Sequence, residues 1–220
     1  MKTIGFIGIG MMGIHMATRL HKADYKLTAY DHDNERTKPL ADMGVRVVDS
    51  IAECVKEQDI IITMLANDEA VTQVLTDDNG VYRHVEQGTM VVDMSTISPS
   101  TSRYLAELAE QKGIVKLDAP VSGSTLHARE GNLVFMVGGE QRAYQSLIDI
   151  FEILGKNSIY FGEAGKGSEA KIVKKLYIDT IMQGLVESLV LAEAFSLNRE
   201  LVFQMIQHSP AASPYAEFIK

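Results

Sequence analysis

The amino-acid sequence predicts an α/β fold in which helices cover a parallel sheet and a long helical segment follows. Two observations carry this prediction. Short apolar runs rich in β-forming residues recur up to residue 161, and segments with helical spacing lie between most of them. Such alternation is typical of a doubly wound parallel sheet. Near Gly162 the alternation gives way to one long helical pattern.

Each predicted strand is one of the apolar runs. The runs lie at 3–7, 26–30, 45–48, 59–64, 89–93, 114–117, 133–137 and 158–161. The clearest helical segments between them are 11–22, 98–112 and 140–153. A long helix is predicted from about Gly167 to Phe195, and a shorter one follows Asn198 and ends before Pro210. We therefore expect a domain boundary within 162–166.

The part of the chain after this boundary is short for an independent core. On the long helix one stripe is polar, and it consists of Asp179, Thr180, Gln183 and Glu187. Much of the remaining surface is apolar and needs covering. We expect either a second copy of the chain, in a homo-oligomer, or a continuation past Lys220. The closing "PYAEFIK" gives its last element no obvious stop, so a truncated helical domain is predicted.

Composition excludes several classes of function. A net charge of -8 and a pI near 5.3 lack the basic surface that a nucleic-acid partner requires. No apolar run approaches the roughly 20 residues that cross a bilayer, so no membrane partner is expected. Cys54, the single cysteine, fits a reducing compartment, and the protein is predicted to be cytoplasmic. The six histidines are scattered, so no metal is assigned.

A glycine-rich turn follows the first predicted strand. Gly8, Gly10 and Gly13 have the G-x-G-x-x-G spacing, with Met11 and Met12 between the last two, and a helix follows. In a Rossmann-type sheet the first glycine makes the tight turn, the second lets the backbone approach a pyrophosphate, and the third lets the helix pack closely. Glycine-rich turns also occur without a nucleotide, so the spacing alone is a weak signal.

Asp31 strengthens the interpretation of this turn as a cofactor site. It ends the second strand, at the distance from Gly13 where an acidic side chain accepts hydrogen bonds from the adenosine ribose. Because a carboxylate there repels a 2′-phosphate, the sequence predicts NAD rather than NADP. The alternative is that Asp31 only begins the turn in "YDHDNER".

Four stretches of the chain resemble the β-hydroxyacid dehydrogenase family, which includes 3-hydroxyisobutyrate dehydrogenases and tartronate semialdehyde reductases. They are "GFIGIGMMGIHMA" (5–17), "VVDMSTISPSTSRYLA" (91–106), "DAPVSGSTLHAREGNLVFMVGG" (118–139) and "GEAGKGSEAKIVKK" (162–175). The resemblance implies a dinucleotide-binding domain at 1–163, and a long interdomain helix with a partial all-helical domain at 164–220. It also implies hydride transfer between a nicotinamide cofactor and a short acid with a 3-hydroxyl or 3-oxo group.

Lys171 occupies the catalytic position that this resemblance implies. Reduction of a carbonyl needs a group that exchanges a proton with the developing alkoxide. On the predicted helix, Lys171 continues the apolar face of Ile178 and Met182, where a solvated lysine is not expected. The alternative is a side chain that extends along the helix to water.

Lys175 departs from the family pattern, which has asparagine there. It lies one helical turn after Lys171, and two neighbouring ammonium groups disfavour each other's charged form. We expect Lys175 to contact the substrate. This replacement alternatively signals lost activity.

Three further pairs lie at predicted strand ends. The resemblance implies that Ser122 and Gly123 hold the substrate carboxylate and that Thr96 lies near the nicotinamide ribose. The alternatives are that the turn of Ser122 and Gly123 is only a connector and that Ser95 only satisfies turn backbone. Met64 and Leu65 are expected to line the adenosine side of the cofactor groove, although core packing explains them equally well.

Three hypotheses for function follow. The first is an NAD-dependent dehydrogenase or reductase of small β-hydroxy or β-oxo acids, with Lys171 as general acid or base. The second is a 6-phosphogluconate or imine-reducing relative. The third is an NAD-binding protein without turnover, whose helical part serves dimerisation or sensing.

Overall fold

The structure is a computed structural model that describes residues 2–213. Its strands are β1 (Thr3–Ile7), β2 (Lys26–Tyr30), β3 (Arg46–Val47), β4 (Ile60–Thr63), β5 (Met90–Asp93), β6 (Val115–Asp118), β7 (Val121–Ser122), β8 (Leu133–Gly138) and β9 (Gly155–Gly162). Its helices are α1 (Gly13–Lys22), α2 (Asn34–Asp42), α3 (Ile51–Val55), α4 (Asp68–Thr76), α5 (Val81–His84), α6 (Pro99–Glu110), α7 (Thr125–Glu130), α8 (Gln141–Ser146), α9 (Ile148–Leu154), α10 (Lys166–Ala194) and α11 (Arg199–Gln207).

The strands form one sheet in the order β3-β2-β1-β4-β5-β6-β8-β7, and β9 pairs with β8. Strands β1 to β6 are parallel to one another, which confirms the predicted doubly wound sheet. The sheet also has an antiparallel part that the sequence did not indicate, because β8 runs antiparallel to β6 and β7. Strands β7 and β8 are joined by residues 123–132, and this connection is shorter than the crossover of about a dozen residues that a parallel pair needs.

The strand order reverses direction between β1 and β4. From β1 the chain builds β2 and β3 on one side, then crosses to build β4, β5 and β6 on the other. Loops that follow neighbouring parallel strands diverge at such a point and leave a crevice at the carboxyl edge of the sheet. The topology therefore places a ligand crevice beside the glycine-rich turn.

The core lies on both faces of the sheet. Along β1, Phe6 packs into one apolar layer and Ile7 into the other. Residues from both layers are fully buried, so the strands read as continuous apolar runs rather than alternating ones. Cys54 is buried in the second layer, and burial raises the pKa of its thiol to about 12, so it is an unreactive core residue.

Helix α10 begins beside the carboxyl end of β6, where Asp118 binds its first turn. The carboxylate of Asp118 accepts hydrogen bonds from the backbone N–H groups of Gly165 (2.7 Å) and Ser168 (2.8 Å). A Cβ on Gly167 would lie 2.3 Å from the carbonyl oxygen of Met136, so only glycine permits this approach. The carboxylate compensates two amides that the helix itself leaves unpaired.

Two compact units make up the chain, Met1–Lys171 and Ile172–Lys220. In the second unit, Leu185 and Leu189 of α10 pack with Phe203 of α11, so part of the apolar surface of the long helix is covered within the chain. Other apolar side chains of this unit are exposed, among them Val173 and Leu176. Within residues 2–213 no helix combines the length and apolarity that a membrane span needs. The predicted unfinished end, "PYAEFIK", lies outside the described residues.

Candidate active site

The predicted site residues follow strands whose carboxyl ends lie side by side. The last residues of five strands stand in register from one side of the sheet to the other: Tyr30, Ile7, Thr63, Asp93 and Asp118. Asp31 follows the first of these strands, the glycine-rich turn the second, Met64 the third and Thr96 the fourth. The fold therefore gathers residues from distant parts of the sequence along one edge.

The glycine-rich turn after β1 has three glycines in different surroundings. Gly8 has φ +99°, and a Cβ there would lie 2.4 Å from the carbonyl oxygen of Met64. A Cβ on Gly13 would lie 1.9 Å from the carbonyl oxygen of Gly8. By contrast, a Cβ on Gly10 would meet nothing within 4 Å. The protein's own packing thus requires Gly8 and Gly13, whereas the space at Gly10 is open to a ligand.

The start of α1 is suited to bind an anion. No side chain caps this helix, and its first turn carries no acidic residue. The N–H groups of Ile14 and Met16 donate to the carbonyl oxygens of Gly10 and Met12, so the attraction for an anion comes from the positive end of the helix dipole. A phosphate group beside Gly10 would fit this position.

Asp31 holds the glycine-rich turn as well as lining the crevice. Its side chain is 3% exposed, and its Oδ2 accepts the backbone N–H of Ile9 at 2.7 Å. Its Oδ1 accepts the N–H of Asp33 at 2.9 Å and lies 3.1 Å from Nδ1 of His32. Asp31 therefore begins a turn, as the alternative interpretation has it, and at the same time stands at the mouth of the crevice.

A groove of about 720 Å³ occupies this edge of the first unit. Eight of the predicted cofactor residues line it: Gly8, Gly10, Met11, Met12, Gly13, Asp31, Met64 and Leu65. Sequence reasoning missed other lining residues, including Tyr30, His32, Arg36, Gln73 and Asn79. Tyr30 ends β2 and His32 closely follows it, Arg36 and Gln73 lie on α2 and α4, and Asn79 lies in the loop after α4. The end of β2 at the carboxyl edge of the sheet was the available signal for the first two. Thr96, Ser122, Gly123 and Lys171 are not part of the lining of this groove.

The ends of β4 and β5 are tied together by buried polar groups. Ser95 accepts the backbone N–H of Leu65 on its Oγ at 2.8 Å, so it satisfies turn backbone as predicted. Thr63 donates its hydroxyl to Asp93 at 2.8 Å, and Asp93 is fully buried. Sequence reasoning missed Asp93, because a carboxylate at a strand end carries no distinguishing pattern. Thr96 is exposed directly after this tied segment.

Asp68 anchors the other side of the Thr96 segment. Its carboxylate accepts hydrogen bonds from the backbone N–H and the hydroxyl of Ser98, the residue that caps α6. Partial burial raises the pKa of Asp68, but the hydrogen bonds from Ser98 and Thr101 lower it by more, so the net pKa lies below its usual value. Asp68 is therefore a carboxylate at neutral pH, and it holds the loop in place.

Lys171 lies against the loop that carries Ser122 and Gly123. Its ammonium group donates a hydrogen bond to the carbonyl oxygen of Val121 at 2.5 Å. Val121 and Ser122 form β7, which pairs with β8, so the acceptor is part of the sheet. Gly123 has φ +143°, which favours glycine, and it is exposed. The structure therefore brings the predicted catalytic lysine and the predicted carboxylate-binding loop together.

His127 shapes the same loop and was missed as a candidate site residue. Its Nδ1 lies 2.8 Å from the hydroxyl of Ser124 and accepts the backbone N–H of Ser124 at 3.1 Å. A Cβ on Gly123 would lie 2.9 Å from Cβ of His127. The histidine thus fixes the backbone directly after Ser122.

Lys175 is placed differently from Lys171. It belongs to the second unit, its side chain is 67% exposed, and its ammonium forms an ion pair with Asp179 at 2.8 Å. Lys166, at the start of α10, pairs with Glu169 at 2.8 Å. Among residues 2–213, no three His, Cys, Asp or Glu side chains cluster as metal ligands would.

The chain is similar to known dehydrogenases over nearly its whole length. Residues 3–162 match the family model described as the NAD binding domain of 6-phosphogluconate dehydrogenase. An NAD-dependent L-serine dehydrogenase from Pseudomonas aeruginosa is 35% identical over 95% of this chain and 70% of its own length. The mitochondrial 3-hydroxyisobutyrate dehydrogenase of Mus musculus is 37% identical over 94% of this chain, which spans 62% of that enzyme.

A solved structure agrees with these relatives. The 3-hydroxyisobutyrate dehydrogenase of Mycobacterium tuberculosis, determined with L-serine, superposes with a TM-score of 0.90 at 33% identity. The match covers 98% of this chain and 73% of that one. The superposition shows that the two chains share the fold described here. The chain therefore belongs to the β-hydroxyacid dehydrogenase family, with an NAD-binding domain of the 6-phosphogluconate dehydrogenase type.

Proposed function

We propose that this chain is an oxidoreductase that transfers a hydride between NAD and a small β-hydroxy or β-oxo acid. The observation that carries the proposal is the hydrogen bond from the Lys171 ammonium to the carbonyl oxygen of Val121, the residue directly before Ser122 and Gly123. When bound, the nicotinamide cofactor supplies or accepts the hydride. The chain must then supply binding, orientation and a proton.

Residues of the groove take the cofactor-binding roles. The backbone at Gly10 and the start of α1 hold the pyrophosphate, and Asp31 receives the adenosine ribose. Met64 and Leu65 line the adenosine side. Because Thr96 follows β5, farther from β2 than the glycine-rich turn, we place it at the nicotinamide ribose.

Lys171 takes the role of general acid or base. In reduction its ammonium gives a proton to the developing alkoxide, and in oxidation the neutral amine takes that proton back. Ser122 and the backbone of Gly123 hold the carboxylate, with His127 fixing the loop. L-serine and 3-hydroxyisobutyrate, named for the relatives, both carry a carboxylate and a hydroxyl on carbon 3. An acid of this kind would offer a carboxylate to Ser122 and Gly123 and a hydroxyl to Lys171.

Lys175 is proposed to contact the substrate only on release from Asp179. Exposed ion pairs of this spacing contribute about 0.3–0.5 kcal/mol to stability, so replacing Asp179 by a substrate as the partner of Lys175 costs little free energy. Without a substrate, the Lys175 ammonium is paired with Asp179 on the same helix. Substitution by asparagine would remove the charge and keep a hydrogen-bonding group.

The test of the function is a turnover assay on a panel of three- to five-carbon acids. NADH absorbance is followed with 3-hydroxy acids, L-serine and the matching oxo acids. We expect turnover on at least one 3-hydroxy acid and none on 2-hydroxy acids of equal length. The same panel run on Lys175→Asn should shift the preferred substrate. Tight NADH binding without turnover on any acid would favour an NAD-binding protein instead.

The two other functions are less well supported. A protein that only binds NAD would not need an ammonium group beside Ser122 and Gly123, where the hydrogen bond to Val121 holds Lys171. A 6-phosphogluconate or imine-reducing enzyme is less compatible with relatives at 35–37% identity that are hydroxyacid dehydrogenases. The hydroxyacid activity therefore explains more of the site.

We also propose that the helical unit mediates self-association and that the protein is cytoplasmic. Exposed apolar side chains on both helices support the first, including Val173, Leu176, Val190, Leu201 and Met205. The buried, unreactive Cys54 agrees with the second. Sedimentation as a monomer would contradict the first proposal, and recovery from a secreted or envelope fraction would contradict the second.

A further inference from the structure

The adenosine end of the groove carries an arginine beside two carboxylates. Arg36, on α2, lines the groove, as Asp31 and His32 do. Its Nε lies 3.3 Å from Oδ2 of Asp33, and its Nη1 lies 4.0 Å from Oδ1 of Asp31. Asp33 itself is outside the groove lining. The guanidinium thus lies at the end of the groove where the adenosine ribose is expected, and its ion-pair partner Asp33 lies outside the groove lining.

Asp31 is poorly placed to be the only residue that selects the cofactor. Its two oxygens already accept the backbone N–H groups of Ile9 and Asp33. Replacing Asp31 would release the backbone of the glycine-rich turn, so its loss weakens every dinucleotide. A residue that selects between NAD and NADP should contribute charge near the ribose without supporting the backbone of the glycine-rich turn.

Arg36 is the group that would receive a 2′-phosphate. A guanidinium binds phosphate oxygens through several parallel N–H donors, and Arg36 is 48% exposed on the groove. Asp33 makes the Arg36 guanidinium less available to a 2′-phosphate in two ways. Its carboxylate forms an ion pair with the guanidinium, with Oδ2 3.3 Å from Nε. Its negative charge also adds to that of Asp31, so two carboxylates face one guanidinium.

We infer that Asp33 is a specificity-determining residue, which favours NAD over NADP by pairing with Arg36. This inference rests on the proposed function of the groove. Asp33 has a second task, because its Oδ1 accepts the N–H of Glu35 and caps α2. A useful variant must therefore remove the charge and keep the cap. Serine does both, since it caps helices about as well as aspartate.

The experiment compares dinucleotide binding by the wild type and Asp33→Ser. Dissociation constants for NADH and NADPH are measured by fluorescence titration of the whole chain, alongside kcat/KM for both cofactors. We expect Asp33→Ser to bind NADPH about tenfold more tightly and NADH within about threefold of the wild type. The gain should shrink at high ionic strength, because it is electrostatic. Asp33→Asn, which also caps, should change in the same direction.

Two controls separate the pairing from a general charge effect. Glu35→Gln removes an exposed carboxylate of α2 that pairs with Lys38 and is outside the groove lining, and it should leave the NADH to NADPH ratio unchanged. Arg36→Ala added to Asp33→Ser should abolish the gain.

Three results would overturn the inference. An unchanged ratio in Asp33→Ser with NADH binding intact would do so while leaving the proposed function standing. An equal gain from Glu35→Gln would do the same. If the wild type binds neither dinucleotide, the proposed function falls and this inference falls with it.

Discussion

Replacing Lys171 by alanine is expected to lower kcat by about 100- to 10,000-fold, the usual contribution of a general acid or base. The ammonium contacts the Val121 carbonyl beside the predicted carboxylate-binding loop, and residues 3–162 match an NAD-binding domain that does not include it. NADH affinity should therefore stay within about twofold of the wild type. The measurement is steady-state turnover on the best acid of the panel, together with NADH titration.

Two companion variants define what Lys171 does. Lys171→Arg keeps a positive charge and a donor but cannot release its proton at working pH, so it should be as inactive as the alanine variant. Lys166→Ala removes a lysine from the same helix that pairs with Glu169, and it should retain full turnover. If Lys171→Arg were active, charge alone would suffice. Turnover by Lys171→Ala equal to that of the wild type would rule the lysine out.

Alanine at Gly10 and alanine at Gly13 are both expected to weaken NADH binding, but for different physical reasons. At Gly13 the new Cβ would lie 1.9 Å from the Gly8 carbonyl oxygen, so α1 must shift away from the strand. Overpacking of this kind costs about 1–3 kcal/mol of stability. At Gly10 the Cβ meets nothing within 4 Å, and φ is not in the left-handed region. The protein without ligand should therefore tolerate Gly10→Ala.

The two glycine variants are separated by measuring melting and binding independently. For Gly10→Ala we expect an unchanged Tm and at least about tenfold weaker NADH binding, because the methyl group occupies the space where the pyrophosphate approaches. For Gly13→Ala we expect Tm and binding to fall together. NADH binding by Gly10→Ala equal to that of the wild type would place the pyrophosphate elsewhere.

The parallel part of the sheet could be predicted because its strands are buried on both faces. The predicted runs 3–7, 26–30 and 59–64 correspond to β1, β2 and β4 within a residue at each end. The predicted start of the long helix near Gly167 is close to Lys166. By contrast, β7 has only two residues and no periodic pattern, and its pairing with β8 depends on a tertiary contact. Local sequence cannot indicate such a pairing.

Motifs marked the cofactor turn, but contacts between distant residues could not be read from the sequence. Gly8, Gly10 and Gly13 are recognisable because their spacing is a property of neighbouring residues. Asp118 accepts the backbone N–H of Gly165, which is 47 positions away in the sequence. The role proposed for Arg36 depends on its ion pairs with Asp31 and Asp33, which only the fold shows. The sequence predicted Lys171 from helical periodicity and resemblance, and its contact with Val121 came only from the fold.

A crystal structure of the chain with NADH and a 3-hydroxy acid tests the central claim most directly, through the distance between Nζ of Lys171 and C4 of the nicotinamide. Hydride transfer needs the substrate carbon about 3–3.5 Å from C4, and proton transfer needs the substrate oxygen about 3 Å from the lysine. We predict a distance within about 7 Å, with the pyrophosphate at Gly10. A separation greater than about 10 Å, with the acid held away from Ser122, would contradict the account.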